Sequence, residues 1–374
     1  MKKIISRTDL SLISISILAI FLAVGAAPLS ADDSASYNFL IWNRANHEAR
    51  NNKVDRGDWF EWWYYKVVVP QSNDSFYFVY GVVNPWDTGP HARAASNSTV
   101  AIGSFGDHEI VSTKFSNSAF HASYESTQID IENNHATDTQ LIGTLAPDVN
   151  WNVTLEKDWA FNAMGWAISK AWLFNIYWYP AQASATMSGK IHFRGRDITL
   201  DHAPAYQDRN WGRSLPAWWT WLVSNRFDHA PGTILAAGGG RPRVIGTSIL
   251  EGVTIGLRHQ GHEYTFRPTS GDWVSVDIRF GHWYVWATNR HQETIEITAD
   301  APREKFMDLP FTSPRGEIFH DLEALRGHLH VVLSKNSQVI ADLNTDEGGI
   351  EYGAPDAHAL ETVFGNEGVS YRSF

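Results

Sequence analysis

Between residues 99 and 199, short strand-like runs alternate with polar turns, at 100–105, 109–115, 128–132, 140–145, 151–156 and 190–193. Runs recurring about every 8–12 residues are the mark of an antiparallel sandwich or barrel. The rhythm resumes at 244–250, 253–257, 264–268, 273–278, 283–288, 294–299, 329–333 and 339–343. Only 317–326, with Leu322 and Leu325 spaced to face inward, reads as a clear helix. The fold class that follows is all-β.

Two hairpins share one layout. In GDWFEWWYYKVVVP, residues 57–70, an extended chain puts Trp59, Glu61, Trp63 and Tyr65 on one face and Phe60, Trp62, Tyr64 and Lys66 on the other. A strand with rings on both faces is covered on both. Turn residues at 71–75 lead to a return strand at 76–83 and a loop rich in Gly, Pro and Asn at 84–95. A second aromatic strand at 218–225, a turn at 228–232, a return strand at 233–237 and the run Gly238, Gly239, Gly240 repeat the plan. This is an internal duplication of one β-unit, with the boundary near Leu200. The expected division is an N-terminal unit at 32–200, a C-terminal unit at 201–353 and a polar, loosely held tail at 354–374. Residues 159–179, with Trp159, Trp166, Trp172, Tyr177, Trp178 and Tyr179, keep neither period. They read as an aromatic loop with a short helix, a candidate lid or membrane-facing patch.

Composition narrows the chemistry. The absence of cysteine removes disulfides, thiolate nucleophiles, zinc–sulfur sites and iron–sulfur clusters. A net charge of −11 disfavours nucleic acid as a partner. Seventeen tryptophans, clustered in a few stretches, suit sheets and ligand-lined cavities. At the N-terminus, Lys2, Lys3 and Arg7 precede an uncharged apolar run at 10–29 with Gly25, Ala26, Ala27 and Ala31 around its end. Residues 1–31 thus read as a secretory signal cut after Ala27 or Ala31. A run of about 20 residues also suffices for an uncleaved anchor. The protein is expected to be exported, periplasmic or membrane-tethered.

The stretch DHAPAYQDRNWGRSLPAWWTWLVSN, residues 201–225, carries the candidate site. In an extended chain Tyr206, Asp208 and Asn210 share a face, and Gln207, Arg209 and Trp211 share the other. Two readings stand: a strand edge with a solvated Asp208 above core tryptophans, or a carboxylic acid held in an aromatic pocket. In the second, desolvation keeps a proton on Asp208 near neutrality. Glu61, between Trp59 and Trp63, is either a parallel acid or one end of a buried ion pair with Arg209 or Arg213. His259/His262 and His328/His330 lack a third ligand at a recognisable spacing, so no metal site is expected. The glycine run has neither GxGxxG nor a following Lys-Ser/Thr, and Ser214 sits in no GxSxG.

The segments FEWWYYKVVVP, FYFVYGVVNP, DHAPAYQDRNWGRSLPAWWTWLVSNRF and the glycine run after ILAA resemble the tocopherol cyclase family in order and spacing. The likeness continues through HWYVWATN to GGIEYG and spans residues 38–353. The YxDxNWG core is more distantly similar to carotenoid hydratases and AttH-like relatives. The resemblance implies two lipocalin-like (calycin-type) antiparallel β-barrel units packed together. It also implies cofactor-free closure of a prenylated hydroquinone to a chromanol. An acid protonates the alkene nearest the ring, and the phenol oxygen captures the tertiary cation. Asp208 matches the acid position, with Tyr206 and Asn210 orienting it and Glu61 as a second candidate. Trp63, Trp211, Trp219 and Trp221 would line the substrate. Such a protein takes a hydrophobic prenylated quinol or related isoprenoid and makes peripheral membrane contact. The alternatives are a non-catalytic isoprenoid or lipid carrier and a prenyl-alkene hydratase.

Overall fold

A computed structural model describes residues 37–49, 57–70, 72–170, 172–246, 250–357 and 369–372. The expected signal at 1–31 lies outside the described residues. Among those residues no helix is long and apolar enough to cross a membrane.

Two eleven-stranded antiparallel sheets, each rolled into a nearly closed barrel, hold most of the described residues. The first begins with β1 (Phe60–Val68), β2 (Ser75–Val83), β3 (Asn97–Ser104) and β4 (Glu109–Phe115). Four short strands follow: β5 (Phe120–Ala122), β6 (Gln128–Ile131), β7 (Asn134–Thr137) and β8 (Gln140–Ala146). Long strands β9 (Val149–Trp159), β10 (Ile176–Phe193) and β11 (Arg196–Gly212) complete it, in the order β4-β3-β2-β1-β11-β10-β9-β8-β7-β6-β5.

The second sheet opens with β12 (Trp219–Ser224), β13 (Ile234–Gly240), β14 (Gly252–His259) and β15 (His262–Phe266). It continues through β16 (Trp273–Arg279), β17 (His282–Thr288), β18 (Glu293–Asp300) and β19 (Met307–Thr312). It ends with β20 (Ile318–Lys335), β21 (Gln338–Ala354) and β22 (Val369–Arg372). Its order is β15-β14-β13-β12-β21-β20-β18-β17-β16-β22, with β19 beside β20.

Matching positions of the two barrels share one register. Gly212 pairs with Phe60 on one side and Ile176 on the other; Gly353 pairs with Trp219 and Asp321. Two residues further in, Trp62, Asn210 and Trp178 of the first barrel correspond to Trp221, Glu351 and Glu323 of the second.

Three expectations are corrected. The boundary near Leu200 falls inside β11, which pairs with β1 from Ala205 to Gly212; the first barrel therefore runs to Gly212 and the second starts at Trp219. Residues 317–326 form no helix but the start of β20, because pairing with β19 and β21 overrides the local helix formers. Among the described residues the α-helix is instead α1 (Asn38–Ala49), whose Phe39 and Trp42 pack into the first core. In the tail, Val369–Arg372 is a strand paired with β16.

The two-faced aromatic strand is explained by where β1 lies. Trp59, Trp63 and Tyr65 fill the first barrel, while Tyr64 belongs to a cluster with Trp221, Val223, Ala236 and Leu325 of the second. This outer face is the seam between the barrels. Cross-seam hydrogen bonds hold it, among them Arg326 Nη2 to the Val69 carbonyl at 2.7 Å and Asn225 Nδ2 to the Ala205 carbonyl at 2.8 Å. The aromatic segment before β10 bridges the barrels as well: Trp159 Nε1 donates to Glu263 at 2.6 Å and Trp166 Nε1 to the Thr269 carbonyl at 3.3 Å. Among its described residues a 3-10 turn, Gly165–Ser169, is the only helical part, and Trp172 alone among its tryptophans is exposed.

Candidate active site

Asp208 sits at the seam with its side chain buried. Alternation along β11 sends Tyr206, Asp208 and Asn210 to this face together. Tyr206 donates its hydroxyl proton to Oδ2 at 2.9 Å, and Asn210 Nδ2 donates to Oδ1 at 3.2 Å. Trp178 of β10 adds an indole N–H to Oδ2 at 2.8 Å. Tyr206 is itself held by Trp221 Nε1 at 3.0 Å, a contact from the other barrel. Burial pushes the Asp208 carboxyl up to about 7, against the donors from Trp178 and Tyr206. Of the two readings open at the sequence level, the structure has the enclosed acid and not the solvated one.

Glycines make room for the rings. A Cβ on Gly238 would lie 2.8 Å from the Trp178 ring, and one on Gly349 would lie 2.3 Å from that of Trp221. Any side chain there would evict an indole that seats the acid or its tyrosine.

The structure separates the other expected residues. Glu61 points into the first barrel, away from Asp208, since β1 alternates and Tyr64, not Glu61, stands opposite Asp208. It receives the backbone N–H of Asn38 at 3.1 Å and of Phe39 at 3.2 Å, at the N-terminus of α1, and Arg209 Nη2 at 3.3 Å. Burial raises the Glu61 carboxyl above its usual range, against the Arg209 guanidinium and the N–H groups at the helix start that favour the carboxylate. Glu61 and Asp208 are therefore not equivalent sites of two repeats; they lie on neighbouring strands of one barrel. Trp63 and Trp211 face the same interior, each beside the Arg209 guanidinium at 5.9 and 5.7 Å. Trp219 and Trp221 do reach the seam: Trp219 Nε1 donates to Glu351, and Trp221 to Tyr206.

Three carboxyls from the second barrel join the seam. Tyr64 donates its hydroxyl to Glu323, and Asp321 and Glu351 interact through a side-chain hydrogen bond. Burial pushes Glu323 up to about 8 and raises Asp321 and Glu351 well above the usual range. Lys66, also buried, is pulled down to about 8 by desolvation and lies 5.5 Å from the Trp221 ring. The signal for Asp321 and Glu323 is their period-two spacing, the same alternation that marks Tyr206, Asp208 and Asn210. Trp178 was hidden in the segment that keeps no period.

Trp62, Trp178, Asn210 and Trp219 are partly exposed, and of these Trp178 and Asn210 bond Asp208 directly. Two surface clefts lie elsewhere: one of about 440 Å³ lined by Arg279, Phe280, His282 and Arg303, and one of about 180 Å³ around Arg267 and Asp272. His328 and His330 bond Asp346 and Asp342 separately, each at 2.8 Å, and His259 bonds Thr233.

The sequence profile of the tocopherol cyclase-like family matches residues 57–163 and 130–354. The chain belongs to the tocopherol cyclase-like family. A similar relative is the probable tocopherol cyclase, chloroplastic, of Oryza sativa subsp. japonica, 27% identical over 300 residues. That match covers 65% of this chain and 63% of the relative, so the chain spans less than two thirds of its length. Among solved structures, the fold is shared with kievitone hydratase from Nectria haematococca (TM-score 0.51, 12% identity, covering 89% of this chain and 95% of that one). CghA is similar too (TM-score 0.57, 10% identity, covering 88% and 94%). The seam that holds Asp208 thus lies in a member of this family, between its two barrels.

Proposed function

We propose that this member of the tocopherol cyclase-like family closes a prenylated hydroquinone to a chromanol, with Asp208 as the proton donor. The observation that carries the reading is a carboxyl buried among indoles and phenols, where the neutral acid persists near pH 7. An alkene is a poor base and needs such an acid, kept dry. The proton of Asp208 passes to the alkene CH carbon, whose π electrons form the new C–H bond and leave a tertiary cation. The ring oxygen captures that cation, and its proton returns to the Asp208 carboxylate, so the sum is an isomerisation. The three donors on Asp208 stabilise the carboxylate as it forms, and the faces of Trp178 and Trp221 suit a nearby cation. A closed seam disfavours capture by water, which sets ring closure ahead of hydration. A carrier would have no use for three buried carboxyls, Asp208, Asp321 and Glu323, with Glu351 beside them. Access for the prenyl tail requires the seam to part at the partly exposed rings of Trp62, Trp178 and Trp219.

The pH profile tests the acid. Only the protonated form donates, so the rate with a prenylated hydroquinone is expected to be level below about pH 7 and to fall tenfold per unit above it. Trp178→Phe removes a donor that favours the carboxylate, so its alkaline limb should move to higher pH. A limb that stays put in Trp178→Phe, or a rate rising through pH 7, would count against Asp208 as the acid.

A further inference from the structure

The seam has a second polar half that proton donation does not use. Tyr64 is the direct cross-strand partner of Asp208 and shares its face, with Cβ atoms about 5 Å apart as in any such pair. Its hydroxyl proton is committed to Glu323, which arrives from the other barrel. A phenol has one O–H, so with that proton spent the Tyr64 oxygen offers a ligand lone pairs alone. Glu323 is fully buried and its Oε2 lacks a partner among the described residues, as does Lys66 Nζ two positions along the same face from Tyr64. Asp208 is the opposite case, surrounded by three donors. Side by side, then, stand an acid and a fixed acceptor.

A ring hydroxyl is the group that fits this pair: its O–H donates a hydrogen bond to Tyr64 while a lone pair stays turned toward the carbon that Asp208 activates, and the proton leaves for the Asp208 carboxylate only after capture. A quinone carbonyl or an aryl ether has no proton to give and sets oxygen against oxygen. We propose that Tyr64, oriented by Glu323, selects the reduced, hydroxyl-bearing head group and rejects the oxidised or etherified ring. Tyr64 is the selecting residue and Glu323 a positioning residue. The inference rests on the ring-closing reading for its substrate class, but its test does not need turnover.

The probes are a hydroquinone with a saturated tail, which cannot cyclise, and its redox-inert dimethyl ether, both titrated by tryptophan fluorescence. The wild type is expected to bind the hydroquinone at least about tenfold more tightly, since sites built to bond a hydroxyl discriminate strongly against its loss. Tyr64→Phe should bring the ratio close to one while its affinity for the ether stays within about threefold of wild type. Glu323→Gln, of equal volume, should narrow the ratio and serves if Tyr64→Phe does not fold. Equal binding of both probes by the wild type, or an unchanged ratio in the foldable variant, would overturn the proposal. Chromanol from the unsaturated hydroquinone without any binding preference would sink the selectivity and leave the reaction. A preference without chromanol would sink the reaction and leave the selectivity.

Discussion

Asp208→Asn is expected to leave a folded protein that still binds a prenylated hydroquinone but closes the ring about 10²–10⁴-fold more slowly, the usual worth of a general acid. The amide keeps the shape of the carboxyl and can accept from Trp178 and Tyr206, with Asn210 free to turn its own amide. The same substitution should stabilise the fold at alkaline pH, and the sign follows from the raised pKa. The unfolded carboxyl ionises near its ordinary 3.8 and the folded one at about 7. Between those values the folded state holds the extra proton, so stability falls as pH rises through the window and levels off above it. The asparagine variant escapes that loss, by up to roughly 4 kcal/mol at pH 8. Thermal melts at pH 5 and pH 8 check it: the variant's advantage should grow with pH. A melting difference that is the same at both pH values would mean that Asp208 is not a buried titrating acid.

Glu61→Ala should be the most damaging single change to stability. It strips Arg209 of its carboxylate inside the first barrel and removes the acceptor for the first N–H groups of α1. Breaking a buried pair from one side costs about 3–5 kcal/mol. At about 2–4 °C per kcal/mol for a domain of this size, the melting temperature should drop on the order of 10 °C. Replacing both partners with apolar residues, Glu61→Leu with Arg209→Met, should recover most of the loss. At a temperature where Glu61→Ala remains folded, its pH–rate limb should stay near 7, since Glu61 faces away from the seam. A shifted limb in that folded variant would return Glu61 to the reacting group.

The two halves of the site were unequally legible. Tyr206, Asp208 and Asn210 could be placed on one face because β11 pairs with β1 without a bulge from Ala205 to Gly212, so period two holds. The duplicated hairpin could be read for a similar reason: ring, turn and glycine recur at matching steps, and the registers confirm the match. Asp321 and Glu323 were lost because HDLEALRGH is made of good helix formers with Leu322 and Leu325 at helical spacing. Sheet pairing decided otherwise, and nothing local announces a partner such as β21. Strands β10 and β20 are each 18 residues long and carry register shifts, which split them into short runs and a shapeless segment when read by period alone. The partner of Glu61 lies 148 positions away, so choosing between an acid and an ion pair required the fold.

Running the reaction in D₂O marks the carbon that receives the proton from Asp208. Purified protein, a prenylated hydroquinone and mass spectrometry of the product suffice. The account predicts a chromanol carrying one deuterium at the ring methylene that was the alkene CH, formed by the wild type and at least about a hundredfold more slowly by Asp208→Asn. Recovery of unchanged hydroquinone from a wild type that binds it, or labelled chromanol at an undiminished rate from Asp208→Asn, would contradict it.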